Sequence, residues 1–206
     1  MGKIRYGVIG SGWRAEFYIR IAKAVPDKFE ITAVLIRDKE KGRAFSEKFG
    51  VAVVNSLDEL MKENPEFVVL AIKRGYVTDY LLQLFEKNIP VLAETPPGES
   101  QEDLQKLWKA YEKYQPRIQV AEQYFLQPLY ASWHNAIESG LIGKVENINI
   151  SSLHGYNGIS MIRWMLGTKG IPCTIYGKRY EFSVTETYGR EGMAFDGDTF
   201  ICSRDR

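Results

Sequence analysis

Cysteine is nearly absent from this chain. The two present among 206 residues, Cys173 and Cys202, have no Cys-x-x-Cys spacing and no histidine partner, so neither a disulfide scaffold nor an ordinary zinc site is written here. An excess of charge is missing too: 27 Lys and Arg stand against 26 Asp and Glu, a net charge of +1, which argues against binding nucleic acid or an anionic membrane through bulk charge. Long apolar runs are lacking. The strongest, Phe67-Val68-Val69-Leu70-Ala71-Ile72, falls far short of the ~20 residues of a membrane span. The start, Met-Gly-Lys-Ile-Arg, carries no apolar signal region, so the expected location is the reducing cytoplasm and the sequon at Asn149-Ile150-Ser151 has no meaning. Internal repeats, low-complexity stretches and the Gly-x-Ser-x-Gly, Walker A and His-Glu-x-x-His patterns are all absent.

What is present is an alternation of short apolar runs with longer amphipathic ones over the first 125 or so residues. That is how a parallel sheet with helices on both faces is written. Strands are expected at about 3–9, 30–36, 51–54, 67–72, 90–93 and 118–121, with helices between them. Ser100 and Ser56 stand where a hydroxyl would cap a helix, the latter with Glu59 at capping-box spacing. The run at 67–72 has no polar alternation, as befits a central strand buried on both faces. Past Pro116 the style changes. A helix over Pro128 to Ser139, a Gly140/Gly143 turn, a strand from Val145 to Leu153, a helix over Asn157 to Leu166 and two or three strands between Cys173 and Ser203 predict a second domain. The expected division is 1–122 and 123–206: a Rossmann-type doubly wound α/β domain, then a partial α/β domain with a mainly antiparallel or mixed sheet.

Gly10-Ser11-Gly12-Trp13-Arg14-Ala15 lies between the first strand and the first helix. In that setting the first glycine permits a tight turn, Gly12 lets backbone approach a pyrophosphate, and small Ala15 allows close helix–strand packing. The helix N-terminus then faces an anion, with Trp13 and Arg14 beside it. The second strand ends in Ile36-Arg37-Asp38, where a carboxylate would bind free ribose hydroxyls; an apolar residue followed by arginine offers a cation for a 2′-phosphate instead. NADP is therefore expected over NAD. The competing reading makes Arg37 a solvated loop residue and Asp38 a helix cap.

With this loop, Glu94-Thr95-Pro96-Pro97 after the fifth strand, and Gly140-Leu141-Ile142-Gly143-Lys144-Val145 further on, the chain resembles the Gfo/Idh/MocA oxidoreductases. The resemblance implies an NAD(P)-dependent enzyme acting on a sugar-like or small polar substrate, with a second-domain sheet that forms a homo-oligomer interface. It also implies a Glu-Lys-Pro tripeptide and a helical His-x-x-Asp pair. At those places this chain has Thr95, Asn157 and Ser160, and Ile72-Lys73-Arg74 and Val77 replace a Thr-Pro-Asn loop and its histidine. Amide and hydroxyl groups do not titrate near neutrality, so the proton of an alcohol needs another acceptor. Lys73, at the end of a central strand, and His154 are the candidates, each with a structural alternative: a solvated lysine, a hydrogen-bonded histidine. Tyr124 is expected by the nicotinamide, or in the domain junction; Glu94 and Pro96 mark the cofactor crevice.

Other residues carry plainer readings. Trp108, Trp133 and Trp164 are expected in the core, and Asp196-Gly197-Asp198 reads as a turn, not a cation site. Two rival functions stay open: a weak or inactive dinucleotide-binding protein with a sensing or assembly role, and an enzyme reducing an activated group such as an imine. Phe200 to Arg206 reads as an interrupted strand, which predicts a truncated or split form whose exposed sheet edge another chain covers.

Overall fold

The computed structural model describes residues 2–150, 155–168 and 171–177. The chain divides into two compact units, Met1–Gln123 and Tyr124–Arg206. In the first, β1 (Ile4–Ile9), α1 (Trp13–Ala24), β2 (Phe29–Leu35), α2 (Lys39–Phe49), β3 (Val53–Val54), α3 (Leu57–Lys62), β4 (Phe67–Leu70), α4 (Val77–Glu86), β5 (Val91–Ala93), α5 (Gln101–Tyr114) and β6 (Ile118–Val120) follow one another. All neighbouring strands pair in parallel, in the order β3-β2-β1-β4-β5-β6. The chain thus winds outward twice from the β1/β4 pair, and that reversal opens a crevice at the carboxyl ends of the strands.

The missing polar alternation in β4 now has its physical cause. Val69 packs with Val8, Ala15, Ile19 and Val34 on one face of the sheet, while Val68 and Leu70 pack with Ile9, Leu60, Leu81 and Leu84 on the other. Successive side chains point to opposite faces, so a strand covered on both sides must be apolar throughout.

The helix caps are local and visible. Ser100 Oγ accepts from the Asp103 N–H at 3.1 Å, and Ser56 Oγ from the Glu59 N–H at 3.2 Å. Glu59 reaches back one residue beyond the usual capping box, its Oε2 accepting from the Asn55 N–H at 2.8 Å. β3 is two residues long, shorter than the expected 51–54, because only Val53 and Val54 pair with β2.

The second unit holds a short 3-10 turn (Tyr124–Leu126), α6 (Pro128–Glu138) with proline in its first turn, and α7 (Gly155–Leu166). The expected strand over Val145 to Leu153 does not form at 145–150, and 151–153 lie outside the described residues; of the strands expected after Cys173, residues 173–177 form none and the rest lie outside as well. An apolar groove of about 450 Å³ is lined by Tyr130, Trp133, Ile142, Val145, Met161 and Met165.

Two tryptophans depart from the expected core. Trp108 is 61% exposed: α5 turns Leu107 and Ala110 inward, and the residue after Leu107 falls about 100° away, where its ring stacks on Tyr111 at 5.7 Å. Trp133 is half exposed, on a helix with no buried residue. Trp164 is half-buried, its ring parallel to that of His134 at 4.1 Å.

Candidate functional site

Gly10 follows β1 with φ +128°, a conformation that L side chains rarely adopt, and a Cβ there would overlap the Ala71 carbonyl just past β4. Gly10 therefore lets the loop cross the central strand pair closely. Gly12 is the N-cap of α1 and gives it no side-chain hydrogen bond; nothing lies within 4 Å of where its Cβ would stand. The space a Gly12 Cβ would take is thus open, beside the positive end of the α1 dipole, which suits a diphosphate. Ala15, fully buried, supplies the close packing beneath. These features fit the diphosphate of a dinucleotide.

Ile36 is buried past β2 and Arg37 is exposed after it, its guanidinium 6.0 Å from the Tyr80 ring centre. Asp38 caps α2, its Oδ1 accepting from the Lys41 N–H at 3.0 Å. The cap half of the competing reading therefore holds and this carboxylate is committed to the helix, while Arg37 is exposed, as its other half expects, and has no ion-pair partner among the described residues.

Beside the glycine loop lies a network that sequence reasoning named only in part. Arg14 Nε pairs with Glu94 Oε1 at 3.0 Å, joining the first turn of α1 to the end of β5. The Tyr18 hydroxyl donates to the same Oε1 at 2.7 Å, and the Tyr6 hydroxyl donates to the Tyr18 carbonyl at 2.8 Å. Burial, followed by the hydrogen bond to Glu94, pushes the Tyr18 phenol well above its ordinary range; burial pushes Tyr6 up to about 12. The guanidinium of Arg14 also lies 4.9 Å from the Trp13 ring centre and 5.4 Å from that of Phe17. Tyr18 was missed because its partner is 76 positions away; its i+4 spacing from Arg14 on α1 was the available signal.

Thr95 follows Glu94, with its N–H 3.4 Å from Glu94 Oε2, and Pro96 comes next. Lys73 is exposed just past the carboxyl end of β4. Tyr124 opens the second unit, half-buried and edge-on to Tyr130 at 6.3 Å. Asn157 is buried in α7 and Ser160 half-buried; His154 and Asp196-Gly197-Asp198 lie outside the described residues. Among the described residues no cluster of His, Cys, Asp or Glu could hold a metal ion, and no helix is long and apolar enough to cross a membrane.

Comparison with known proteins places this geometry. An uncharacterized oxidoreductase of Rhizobium meliloti is 26% identical over 155 residues, covering 72% of this chain and 45% of its own length, so the chain spans about half of that relative. Among solved structures, the WlbA dehydrogenase of Bordetella pertussis in complex with NADH and UDP-GlcNAcA has a TM-score of 0.60 at 24% identity, over 69% of this chain and 44% of its own. A putative myo-inositol dehydrogenase of Sinorhizobium meliloti 1021 has a TM-score of 0.72 at 16% identity, over 87% and 60%. Residues 4–122, more than half of the chain, match the oxidoreductase family with the NAD-binding Rossmann fold, and the chain belongs to that family, the Gfo/Idh/MocA oxidoreductases.

Proposed function

We propose that this protein is an NADP-preferring oxidoreductase acting on a sugar-like or other small polar substrate. The observation that carries the reading is the glycine loop: Gly10 crosses against the Ala71 carbonyl, and Gly12 begins α1 without a side-chain cap and with open space where a Cβ would stand. Gly10, Gly12, Trp13, Arg14 and Ala15 form the diphosphate cradle, Glu94 and Pro96 border the nicotinamide side, and Arg37 reads a 2′-phosphate. The preference for NADP rests on the commitment of Asp38 to its helix, which removes the acid that would favour free ribose hydroxyls. The substrate class rests on the relatives, one solved with UDP-GlcNAcA and one named as a putative myo-inositol dehydrogenase.

The bound nicotinamide supplies or accepts the hydride. The chain must handle the proton, and Thr95, Asn157 and Ser160 do not titrate near neutrality. Lys73 and His154 are the proposed proton-handling groups, with Tyr124 lining the substrate side. Those same three substitutions favour a second reading, a dinucleotide-binding protein of weak or no turnover with a sensing or assembly role. The second unit is proposed to mediate homo-oligomer formation.

Calorimetric titration of NADPH and NADH into the wild type and Arg37→Ala tests the cofactor reading. Tighter binding of NADPH, lost by about tenfold in Arg37→Ala with NADH unchanged, is expected for a charge-assisted phosphate contact. Equal affinity for both, indifferent to Arg37→Ala, removes the 2′-phosphate role. Turnover with a panel of sugars then separates the two readings, and Thr95→Lys with Asn157→His and Ser160→Asp is expected to raise it.

A further inference from the structure

The guanidinium of Arg14 is ion-paired through one of its three nitrogens. Its Nε is held by Glu94 at 3.0 Å; among the described residues its terminal nitrogens have no hydrogen-bond partner. Its planar faces have aromatic neighbours, Trp13 and Phe17, and Glu94 is itself fixed by the Tyr18 hydroxyl on the next turn of α1. A charged fork immobilised at one nitrogen and still unsatisfied at the others is preorganised to receive an oxyanion, because the side-chain entropy of ordering it has already been lost.

The tether also sets direction. Glu94 stands past β5, and β4, β5 and β6 form the half of the sheet opposite β2 and Arg37. In a doubly wound fold each half serves one mononucleotide, with the diphosphate at the switch between them. Resting on the dinucleotide reading above, we propose that Glu94 is a positioning residue acting through Arg14. It holds the guanidinium on the β4–β6 side of the glycine loop, where the terminal N–H groups read the phosphate on the nicotinamide side of the diphosphate.

Two ligands separate this from a general attraction for anions: NADPH, which carries the nicotinamide-side phosphate, and adenosine 2′,5′-bisphosphate, which lacks it. Calorimetry on the full chain should show Arg14→Met weakening NADPH about tenfold while leaving the bisphosphate within about twofold, and Arg37→Ala weakening both. Glu94→Gln should weaken NADPH several-fold in the wild-type background and hardly at all in Arg14→Met, since a residue acting through Arg14 has nothing left to position. Tyr18→Phe, which keeps the ring, should give a smaller loss of the same pattern, and Arg14→Lys, which keeps charge but not the fork, should not restore the affinity. The proposal is overturned if Arg14→Met weakens both ligands alike, or if Glu94→Gln costs the same in both backgrounds. Failure of the folded wild type to bind either NADPH or NADH overturns the dinucleotide reading itself, and the proposal with it.

Discussion

In the first unit β1, β2 and β4 are sealed on both faces, with Val8, Ala33, Val34, Val68 and Leu70 excluded from solvent. In the second, α6 buries nothing completely, and Leu126, Leu129, Trp133, Leu141 and Ile142 are exposed. The two stretches of chain are similarly apolar to read, so composition does not separate them. Strand pairing does. A parallel sheet carries its complement on both faces through crossover helices encoded nearby, whereas among the described residues of the second unit no strand forms beside α6 and α7.

The largest expected effect tests that contrast at glycines. Gly10 and Gly143 both have positive φ, +128° and +69°, yet a Cβ at Gly10 would strike the Ala71 carbonyl while one at Gly143 has nothing within 4 Å. Gly10→Ala should cost several kcal/mol, about 3 or more, and abolish dinucleotide binding, because strain adds to a backbone overlap that rigid β4 cannot relieve. Gly143→Ala should cost about 1–2 kcal/mol, the left-handed penalty alone. Urea unfolding of both variants reads the difference, and equal losses would mean that the loop gives way at β4.

A second pair compares leucines. Leu81 is fully buried in α4, so Leu81→Ala should cost about 2–5 kcal/mol from lost transfer and the cavity left behind. Leu141 is 79% exposed, and Leu141→Ala should stay within about 0.5 kcal/mol. A large loss at Leu141 would show that its side chain is covered in solution, as an oligomer contact would cover it.

Much of the first unit was legible in the sequence because its signals are local. Strand periodicity, the hydroxyl caps of Ser56 and Ser100 and the glycine triplet are signals spanning a few residues, and all appear in the structure. The strand expected from Val145 was not legible, because alternation marks a face suited to burial and says nothing of what buries it; residues 145–150 form no ladder. Of the candidate site, Gly10, Gly12 and Arg37 could be proposed from local signals. The Arg14–Glu94–Tyr18 arrangement depends on β5 lying beside β4, a fact of topology that no window of sequence contains.

A third prediction uses the alkaline limb of stability. Tyr6 is raised to about 12 and Tyr18 higher still, both in the first unit. In the unfolded chain a tyrosine loses its proton near pH 10, so between pH 10 and 12 the unfolded state binds fewer protons than the native one. Stability is therefore fully present below pH 10 and falls as pH rises through that window, on the order of 1 kcal/mol per pH unit for each phenol. Tyr6→Phe and Tyr18→Phe should each flatten this decline. Unfolding midpoints at pH 9, 10, 11 and 12 measure it, and an unchanged slope in Tyr6→Phe would mean that its hydroxyl is hydrated in solution.

The smallest expected effect turns on Trp108, where the sequence and the structure disagree most sharply. Its spacing on α5 reads as core, and a buried tryptophan replaced by alanine would cost about 3–5 kcal/mol. Its neighbour Leu107 takes the inward position, leaving Trp108 against Tyr111 and water. An offset aromatic stack at an exposed site contributes about 0.5–1.5 kcal/mol at most, and alanine recovers part of that through its higher helix propensity. Trp108→Ala is therefore expected to lower stability by well under about 1 kcal/mol, while the fluorescence that the substitution removes should be a fraction quenched by acrylamide as an exposed indole is. A loss of several kcal/mol, or protection from the quencher, would mean that another surface covers α5 in solution and that the first unit leaves part of its apolar area for a partner.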